Sequence, residues 1–351
     1  MKVFPSARPS LTQADVKVDP KADLTKARKI ALYGTFSWTG QLSQRHFDHC
    51  AALRKAGYFV IACRAAERHG KASNAVTIGD VDILKPNIGY DFGSWWFGLQ
   101  WLKDAADCRV SEYDAICVTN DSYFGSLENG LFADLDGLED GLKGLTENLQ
   151  LRPHLQSYLL VATGDYLSEG HFEAFLNAYD FPEKKMDIVH KWEIGFSKDV
   201  EKLGFERRAL LSHVPSLDHW VATLPSQIDR ECEARTILGL DAERNKVAQA
   251  FENTLRGMID NHHVLPYQVF WQSSLSTKYK IFKREMVEKA VYFSPNPYTF
   301  FQDLAVSDTY FQVIDAFNVE RWEGPTPNET VTMSVLKQYR SQSGLPMTKE
   351  N

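Results

Sequence analysis

The chain has 351 residues, 44% hydrophobic and 24% charged, which is typical of a globular protein with one large domain or two smaller ones. Its net charge of −7 argues against nucleic acid or an anionic membrane as the main partner. No apolar window of about eighteen residues predicts a transmembrane segment, and the N-terminus lacks the apolar core of a signal peptide. Five scattered cysteines without a C-x-x-C pair indicate neither a zinc site nor a disulfide framework. We therefore expect a cytoplasmic protein, with peripheral attachment at the inner membrane left open.

The first predicted elements form a βαβ unit. Residues 1–28 lack periodicity and are interpreted as a tail or arm. A strand is predicted over 29–33, and a second strand is predicted over 58–63. Ser43 can cap the helix between them. The inward face of that helix would carry Phe47, Cys50, Ala51 and Leu53. Such a unit implies two parallel strands joined by a right-handed crossover.

A glycine-containing loop follows at residues 87–94. Ser94 is predicted to cap a helix whose inner face begins at Trp95. Gly89 and Gly93 would let the backbone approach a ligand closely. Asp91 lies between them. It could be a carboxylate that contacts the ligand, or a local hydrogen-bonding group that shapes the turn.

The stretch 113–126 predicts the central strand and the polar residues that follow it. The apolar run Ala115–Val118 fits a strand covered on both faces. It ends at Asn120-Asp121-Ser122, and ligands of open α/β sheets lie beyond the carboxyl ends of strands. A carboxylate there can coordinate a divalent cation, which in turn can bind the oxygens of a diphosphate. The alternative is that Asp121 only shapes a turn.

The remaining patterns continue the alternation of strands and helices to about residue 215 and then become helical. In chain order they predict a strand over 155–161, a helix from Ser168 to Tyr179, a helix ending at Gly204, a strand over 205–214, a helical insertion over 216–262, and an aromatic-rich closing segment over 263–340. In the insertion, Val247, Phe251, Leu255 and Met258 form one apolar stripe. The alternation predicts an α/β fold with a mostly parallel central sheet flanked by helices.

Five motifs in order resemble the rhamnan synthesis F family, whose members take part in making bacterial rhamnose-containing polysaccharides. The motifs are Asn87–Ser94, Asn120–Gly125, His154–Leu159, Trp192–Ser197 and Phe282–Glu285. The family is similar in turn to glycosyltransferases of the GT-A fold. In that comparison Asn120-Asp121-Ser122 stands where GT-A enzymes carry Asp-x-Asp, and Glu193 stands where inverting members carry a catalytic base at a helix start.

The resemblance implies a GT-A-like nucleotide-diphosphosugar transferase domain. We expect this single domain over residues 29–340, with a short tail at 341–351. Its parts would be a nucleotide-binding half over 29–125, an acceptor half over 126–215, the helical insertion and the closing segment. The expected donor is a nucleotide-diphosphate sugar, with dTDP-rhamnose favoured. The expected acceptor is a glycan or a lipid-linked glycan.

Glycosyl transfer requires neutralisation of charge on the leaving diphosphate. Asp121 with Mg²⁺ or Mn²⁺ is the first candidate, and His263 is a further candidate metal ligand. Lys283 and Arg284 could assist or replace the metal as phosphate-binding cations, or could be a solvated charge pair. Further donor contacts are expected from Gly34, Thr35, Asn87, Gly89, Asp91, Asn120 and Ser122.

Transfer also requires a base for the acceptor hydroxyl. Glu193 is the candidate, because its apolar neighbours Trp192 and Ile194 could raise its pKa; the alternative is a carboxylate stabilised by the helix dipole. The cleft is expected to include His154, Gln156, Ser157 and Trp192, although a histidine beside a strand is often only structural. The competing function is a non-catalytic nucleotide- or glycan-binding scaffold of polysaccharide assembly with the same fold.

Overall fold

A computed structural model describes residues 9–66, 76–125, 127, 130–149, 151–261, 278–290, 297–320 and 327–348. Its strands are β1 (Asp15–Val18), β2 (Lys29–Ser37), β3 (Tyr58–Ala66), β4 (Val81–Leu84), β5 (Ala115–Asn120), β6 (Tyr123–Phe124), β7 (Gly141–Asn148), β8 (His154–Leu155), β9 (Leu159–Thr163), β10 (Glu206–Leu211) and β11 (Phe282–Lys283).

The α-helices are α1 (Gln44–Lys55), α2 (Tyr90–Gln100), α3 (Leu131–Asp136), α4 (Gly164–Ser168), α5 (His171–Asn177), α6 (Lys185–Ile188), α7 (Ile194–Lys202), α8 (His213–Ile237), α9 (Arg244–Asn261), α10 (Pro297–Val306), α11 (Thr309–Val319) and α12 (Pro327–Gln342). Single π-helical turns cover Trp101–Ala105, Val189–Glu193 and Met286–Ala290. Within these described residues, no helix combines the length and apolar character needed to cross a bilayer.

The first half of the chain forms the parallel part of the main sheet, in the spatial order β4-β3-β2-β5. Alternate residues of β2 point to opposite faces. Ile30 and Leu32 share a core with Trp95 of α2, whereas Ala31 and Tyr33 belong to the core on the α1 side. The βαβ prediction is confirmed, with β2 and β3 longer than expected. Ala51 is exposed, however, so it does not belong to the inward face of α1 as predicted.

The strand order reverses between β2 and β5. From β2 the chain moves through β3 to β4 on one side, and then crosses back by α2 to place β5 on the other side of β2. Open α/β sheets bind ligands in the crevice at such a switch point, beyond the carboxyl ends of the strands. The ends of β2 and β5 therefore mark the expected position of a site.

The other half of the sheet is mixed. β9 lies antiparallel between β5 and β7, and β10 is parallel to β7. Three strands, β1, β8 and β9, run against the other six. The α/β class is confirmed, but the second half is less parallel than predicted.

A two-stranded sheet joins distant parts of the chain beside the switch point. β6 pairs antiparallel with β11, which sets Lys283 opposite Tyr123. The amide of Arg284 also donates a hydrogen bond of 2.8 Å to the carbonyl of Ser122. These bonds fix residues 282–284 against the loop that leaves the central strand.

The helical segment after β10 packs against the closing segment. Val247 and Phe251 of the predicted stripe are buried, and Phe251 stacks on Trp220 with ring centroids 6.3 Å apart. Glu231 of α8 accepts hydrogen bonds of 2.9 Å from the amide and hydroxyl of Thr299. The side chains of Leu255 and Met258 lie outside the described part of the chain.

Four predicted boundaries are wrong. Residues 15–18 do not belong to a tail, because β1 extends the sheet by pairing with β4. Helix α2 begins at Tyr90 after Gly89, so Ser94 is an internal residue and not its cap. The predicted strand over 155–161 is two strands, β8 and β9. The helix predicted from Ser168 to Tyr179 is the shorter α5, since Ser168 is the last residue of α4.

Candidate functional site

A pocket of about 280 Å³ opens at the carboxyl ends of β2, β3 and β4. Its polar lining includes Thr35, Lys85, Asn87, Asp91 and Ser94, and the exposed indole of Trp38 forms part of its wall. Thr35, Asn87, Gly89 and Asp91 were predicted to face a donor, and the structure brings these four to one pocket.

The buried Lys85 closes the floor of this pocket. Its ammonium group donates hydrogen bonds to the carbonyls of Pro86 (3.1 Å) and Ile88 (2.9 Å). Burial lowers its pKa to about 8, against the opposing attraction of Asp91. These bonds to backbone carbonyls hold the loop that precedes α2.

Hydrogen bonds connect Asp91 to the end of the central strand. The side-chain amide of Asn120 donates to the Asp91 carboxylate at 2.9 Å, and the Asn120 carbonyl oxygen accepts from the Ser122 hydroxyl at 2.6 Å. The Lys283 ammonium donates to that hydroxyl at 3.2 Å and lies 4.0 Å from the centroid of the Tyr158 ring. Four predicted donor-site residues therefore form one connected group.

The pKa values of Asp91 and Lys283 are shifted towards neutrality. Burial, together with repulsion from Asp121, raises the pKa of Asp91 to about 6, although Lys283 and Asn120 oppose this. Burial lowers the pKa of Lys283 to about 8, although Glu193 and Asp91 oppose that shift. Such shifts are common among groups that act on ligands, but buried ion networks also produce them.

Glu193 lies beside the turn between β8 and β9, in the other half of the sheet. Its carboxylate accepts a hydrogen bond of 2.8 Å from the amide of Ser157, in the turn between β8 and β9. Lys283 interacts electrostatically with both Glu193 and Asp91, and Asp91 interacts in turn with Asp121.

The local structure around Glu193 differs from the prediction. Glu193 ends a π-helical turn inside one helical run that begins at Lys185 and ends at Lys202, so it is not at a helix start. The alternative of a carboxylate held by a helix dipole is therefore wrong. Single π-turns inside helices are frequent at functional sites.

Asp121 lies beside a buried network of cations. One carboxylate oxygen, Oδ2, accepts from the amide of Phe36 at 3.1 Å and lies 3.4 Å from both Arg45 Nη2 and His46 Nε2. Burial disfavours the charged form of Asp121, but attraction to Arg45 and His46 outweighs it and lowers its pKa. Asp121 therefore carries its negative charge against a buried guanidinium group.

Glu320 completes this network from the C-terminal end of α11. Its carboxylate forms a bidentate pair with Arg45, at 2.7 Å (Nε–Oε1) and 2.6 Å (Nη2–Oε2), and accepts from Ser43 and from Arg284 at 3.0 Å. Burial opposes its ionisation, but Arg45 and His46 hold its pKa well below the usual range. Arg284 also binds Glu288, at 2.6 Å, so its guanidinium is committed to two carboxylates.

A divalent cation does not fit this arrangement without displacing Arg45. His46, Asp121 and Glu320 each offer a ligand atom, and these atoms lie within 4.8 Å of one another. The Arg45 guanidinium already binds Glu320 through both oxygens and approaches Asp121. A second positive charge there would be repelled at short range and would compete for the same oxygens. His263, the further candidate ligand, lies outside the described residues.

The predicted glycines permit close packing, and Gly89 also lines the pocket. A Cβ atom at Gly89, where φ is +75°, would lie 2.5 Å from the Phe181 ring. At Gly93 it would lie 2.8 Å from the carbonyl oxygen of Ile88. At Gly34 it would meet Ser94 of α2 at 3.0 Å. These residues therefore let α2 and its neighbours pack closely, and Gly34 lies in the buried sheet.

The predicted acceptor residues occupy different environments. Ser157 and Gln156 lie in the turn that contacts Glu193; Gln156 is buried and accepts from Thr146 at 2.6 Å. His154 is buried, with Nδ1 2.7 Å from the carbonyl of Arg152. Trp192 points into the aromatic core around Tyr179 and donates to Asp180 at 2.9 Å. Trp192 therefore belongs to the buried aromatic core.

Sequence reasoning missed the groups that surround Asp121. Arg45, His46 and Glu320 were not predicted, although Arg45 and His46 lie on the buried face of a predicted helix. Charged residues on a buried helix face usually mean a paired or functional network, and that position was the available signal. For Glu320 the sequence carried no comparable signal, because its partner Arg45 is 275 positions away.

Comparison with known proteins supports the family indicated by the motifs. A family model described as rhamnan synthesis protein F matches residues 59–229, which confirms the predicted family resemblance over that region. The matched region includes Asp91, Asp121 and Glu193, whereas Lys283 lies beyond it.

Two curated relatives are both described as virulence protein VirA, one from Vibrio anguillarum strain ATCC 68554 / 775 and one from Vibrio anguillarum. Each is 32% identical over 109 residues, which is 30% of this chain and 34% of the relative. The chain thus matches about a third of the length of these relatives.

Proposed function

We propose that this protein is a glycosyltransferase that moves a sugar from a nucleoside-diphosphate donor to a growing bacterial surface polysaccharide. Rhamnose is the favoured sugar, because the family is named for rhamnan synthesis. The observation that supports the proposal is that Lys283 interacts electrostatically with Asp91 and Glu193, and Asp91 with Asp121, near the switch point of the sheet. A GT-A-type fold is part of the same proposal, supported by the α/β sheet and the position of the pocket.

The pocket suits the nucleoside and the sugar of such a donor. Trp38 offers an aromatic surface, and its ring lies 5.3 Å from that of Phe36 at the mouth of the pocket. Asp91 and Asn87 offer acceptors and donors for hydroxyl groups. The Lys283 ammonium, linked to Asp91 through Ser122 and Asn120, lies on the side where a diphosphate would follow.

Glu193 has the position of a general base. In the proposed step the acceptor oxygen forms a bond to the anomeric carbon while the bond from that carbon to the diphosphate oxygen breaks. The proton of the acceptor hydroxyl passes to a Glu193 carboxylate oxygen, and the electron pair of the broken bond leaves with the diphosphate. The Ser157 amide holds the carboxylate through one oxygen, Oε1. This fixed orientation supports the role of Glu193 as the base.

The proposal is tested by replacing Glu193 with Gln. The amide oxygen of the new side chain can still accept from the Ser157 amide, so the fold and nucleotide binding should survive. Donor hydrolysis or transfer, measured as release of nucleoside diphosphate from dTDP-, UDP- and GDP-sugars, should fall by about 10²–10⁴-fold because the base is lost. Asp187→Asn is the matched control, since Asp187 is an exposed carboxylate on the same helical run.

Two results would contradict this assignment. Full turnover in Glu193→Gln would remove the base role from Glu193. Nucleotide binding by the wild-type protein without turnover of any donor would favour the scaffold function instead.

A further inference from the structure

We propose that Trp38 and Tyr90 bind the base of the donor nucleotide through their aromatic rings. This inference rests on the proposed function, because it assigns one part of the same donor to one part of the same site. It starts from the exposure of the two side chains and from the backbone conformation of Tyr90. It identifies the residues that would make binding depend on a nucleobase as well as on a diphosphate.

The first step concerns the exposure of aromatic side chains. Trp38 is 43% exposed and Tyr90 is 44% exposed, and among the described residues no other phenylalanine, tyrosine or tryptophan is as exposed. Both line the pocket at the carboxyl ends of β2, β3 and β4. A single exposed apolar side chain is ordinary on a protein surface. Two exposed aromatic rings at one pocket instead indicate a ligand with a planar or apolar face.

The second step concerns the backbone of Tyr90. Its φ is +50°, in the left-handed region that residues other than glycine, asparagine and aspartate rarely adopt. Its carbonyl accepts from the Ser94 hydroxyl at 3.2 Å, and its own hydroxyl donates to the carbonyl of Glu183 at 3.4 Å. A tyrosine that is largely exposed gains little from burial to offset this strain. Backbone strain of this kind is concentrated at ligand-binding and catalytic sites.

The third step concerns the position of Trp38, which directly follows β2. Its amide donates to the carbonyl of Glu320 at 3.2 Å, and the hydroxyl of the next residue, Thr39, donates to the carbonyl of Val319 at 2.7 Å. The indole packs against Phe36, with ring centroids 5.3 Å apart and ring planes at 80°. Because these contacts hold Trp38 before a ligand arrives, stacking on a base requires little further ordering.

The fourth step concerns the part of the donor that reaches these rings. The pocket lies at the ends of β2, β3 and β4, whereas β5 and then β9 lie on the other side of β2. Glu193, the proposed base, accepts from Ser157 in the turn before β9. A donor whose anomeric carbon lies near Glu193 therefore extends its nucleoside end across β5 towards the pocket. Every nucleobase has a planar face that can stack on an aromatic ring, so Trp38 and Tyr90 contact the base.

Isothermal titration calorimetry with dTDP, UDP, GDP and inorganic pyrophosphate tests this inference. For the nucleoside diphosphate that binds most tightly, Trp38→Leu and Tyr90→Leu should each raise the Kd about tenfold or more, as expected for the loss of a stacking contact. The Kd of pyrophosphate, which has no base, should stay within about twofold. In donor turnover, KM should rise while kcat is unchanged, because the two rings lie away from the reacting atoms.

Trp38→Phe and Tyr90→Phe are the matched controls, because each keeps an aromatic ring at the same backbone position. Both should bind the nucleoside diphosphate within about threefold of the wild type. Tyr90→Asn separates binding from folding, since asparagine tolerates the left-handed backbone. It should lose affinity as Tyr90→Leu does, but its Tm should be no lower than that of Tyr90→Leu. It also keeps the inference testable if Tyr90→Leu does not fold.

Unchanged affinity for nucleoside diphosphates in folded Trp38→Leu and Tyr90→Leu would overturn the inference but leave the proposed function standing. A loss confined to nucleotide sugars, with the plain diphosphates unaffected, would assign the rings to the sugar and would also overturn it. Failure of every nucleoside diphosphate to bind the wild type would overturn both the inference and the proposed function. Binding that is lost in the leucine variants, without turnover of any donor, would support the inference and contradict only the proposed function.

Discussion

Asp91 is a carboxylate whose surroundings disfavour its charge at neutral pH. Burial and Asp121 raise its pKa from the ordinary 3.8 to about 6. In the unfolded chain the group ionises near the ordinary value, so the folded state is penalised as pH rises through the range between the two values. A side chain kept at such a cost in a pocket is typical of a ligand-binding role.

Replacing Asp91 with Asn should therefore stabilise the protein at pH 7.5. The gain is expected to be about 1–3 kcal/mol in the free energy of unfolding, and it should shrink at pH 5, where Asp91 is already largely protonated in the fold. The amide oxygen can still accept from Asn120. Urea denaturation at the two pH values measures the effect. An equal gain at both values would contradict the titration of Asp91.

At the level of single residues, the sequence could identify candidate site residues but not the charges that surround them. Asp121 was predicted because it ends an apolar strand, and the structure places it at the switch point. What the sequence could not reveal is that Arg45 and Glu320 already surround it, since these residues are 275 positions apart. The electrostatic setting of a carboxylate depends on tertiary contacts, which local patterns do not encode.

Among the elements, the loop before α2 shows how a glycine motif can serve packing. Gly89 has φ of +75° and precedes the first residue of the helix. Phe181 lies against it, and its ring also contacts Trp96 at 5.1 Å and Tyr179 at 4.9 Å between centroids. The Tyr179 hydroxyl donates to the Gly89 carbonyl at 2.7 Å. The loop is therefore fixed to the aromatic core under the pocket.

Gly89→Ala should cost more than a substitution at a comparable but open glycine. Gly170 has φ of +81° and precedes α5, and a Cβ there would meet nothing within 4 Å. Gly170→Ala should cost about 1 kcal/mol from the backbone alone. Gly89→Ala should cost about 1–3 kcal/mol more, because the Phe181 ring must move. Thermal unfolding of both variants measures the difference, and equal losses would rule out the clash.

Prediction of the elements succeeded where local signals were strong. The apolar runs of β2, β3 and β5 were identified, and so was the helix after Ser43. The strand β7 was missed, because its sequence Gly141–Asn148 mixes glycine, lysine and threonine that are buried only through tertiary contacts. Lys143, for example, is buried in the middle of that strand.

At the scale of the whole molecule, the environment of Lys283 combines groups from separate parts of the chain. Asp91 of α2 and Glu193 raise its pKa, whereas burial and Lys185 of α6 lower it, with a result of about 8. The ring of Tyr158 covers the ammonium from the end of the second half of the sheet. These groups meet only in the folded chain. Their combined effect on the pKa of Lys283 should therefore appear in the pH dependence of diphosphate binding.

The resulting prediction concerns the pH dependence of binding. Lysine is charged below its pKa and neutral above it, so affinity for the preferred nucleoside diphosphate should fall between pH 7.5 and pH 9. Ionisation of the terminal phosphate is essentially complete over this range and adds no opposite trend. Lys283→Arg keeps its charge throughout, so its affinity should be nearly constant even if weaker at pH 7.5. Calorimetric titrations at intervals across the range measure both curves.

Comparing the pH dependence of affinity in the wild type and in Lys283→Arg distinguishes the titration of Lys283 from that of every other group. If the wild type and Lys283→Arg lose affinity in parallel, the decline comes from another group, such as Lys85, whose pKa is also about 8. If only the wild type declines, the ammonium of Lys283 carries the dependence. A bound diphosphate itself favours the charged lysine, so the affinity should begin to fall near pH 8 and continue to fall up to the higher pKa that Lys283 has in the complex.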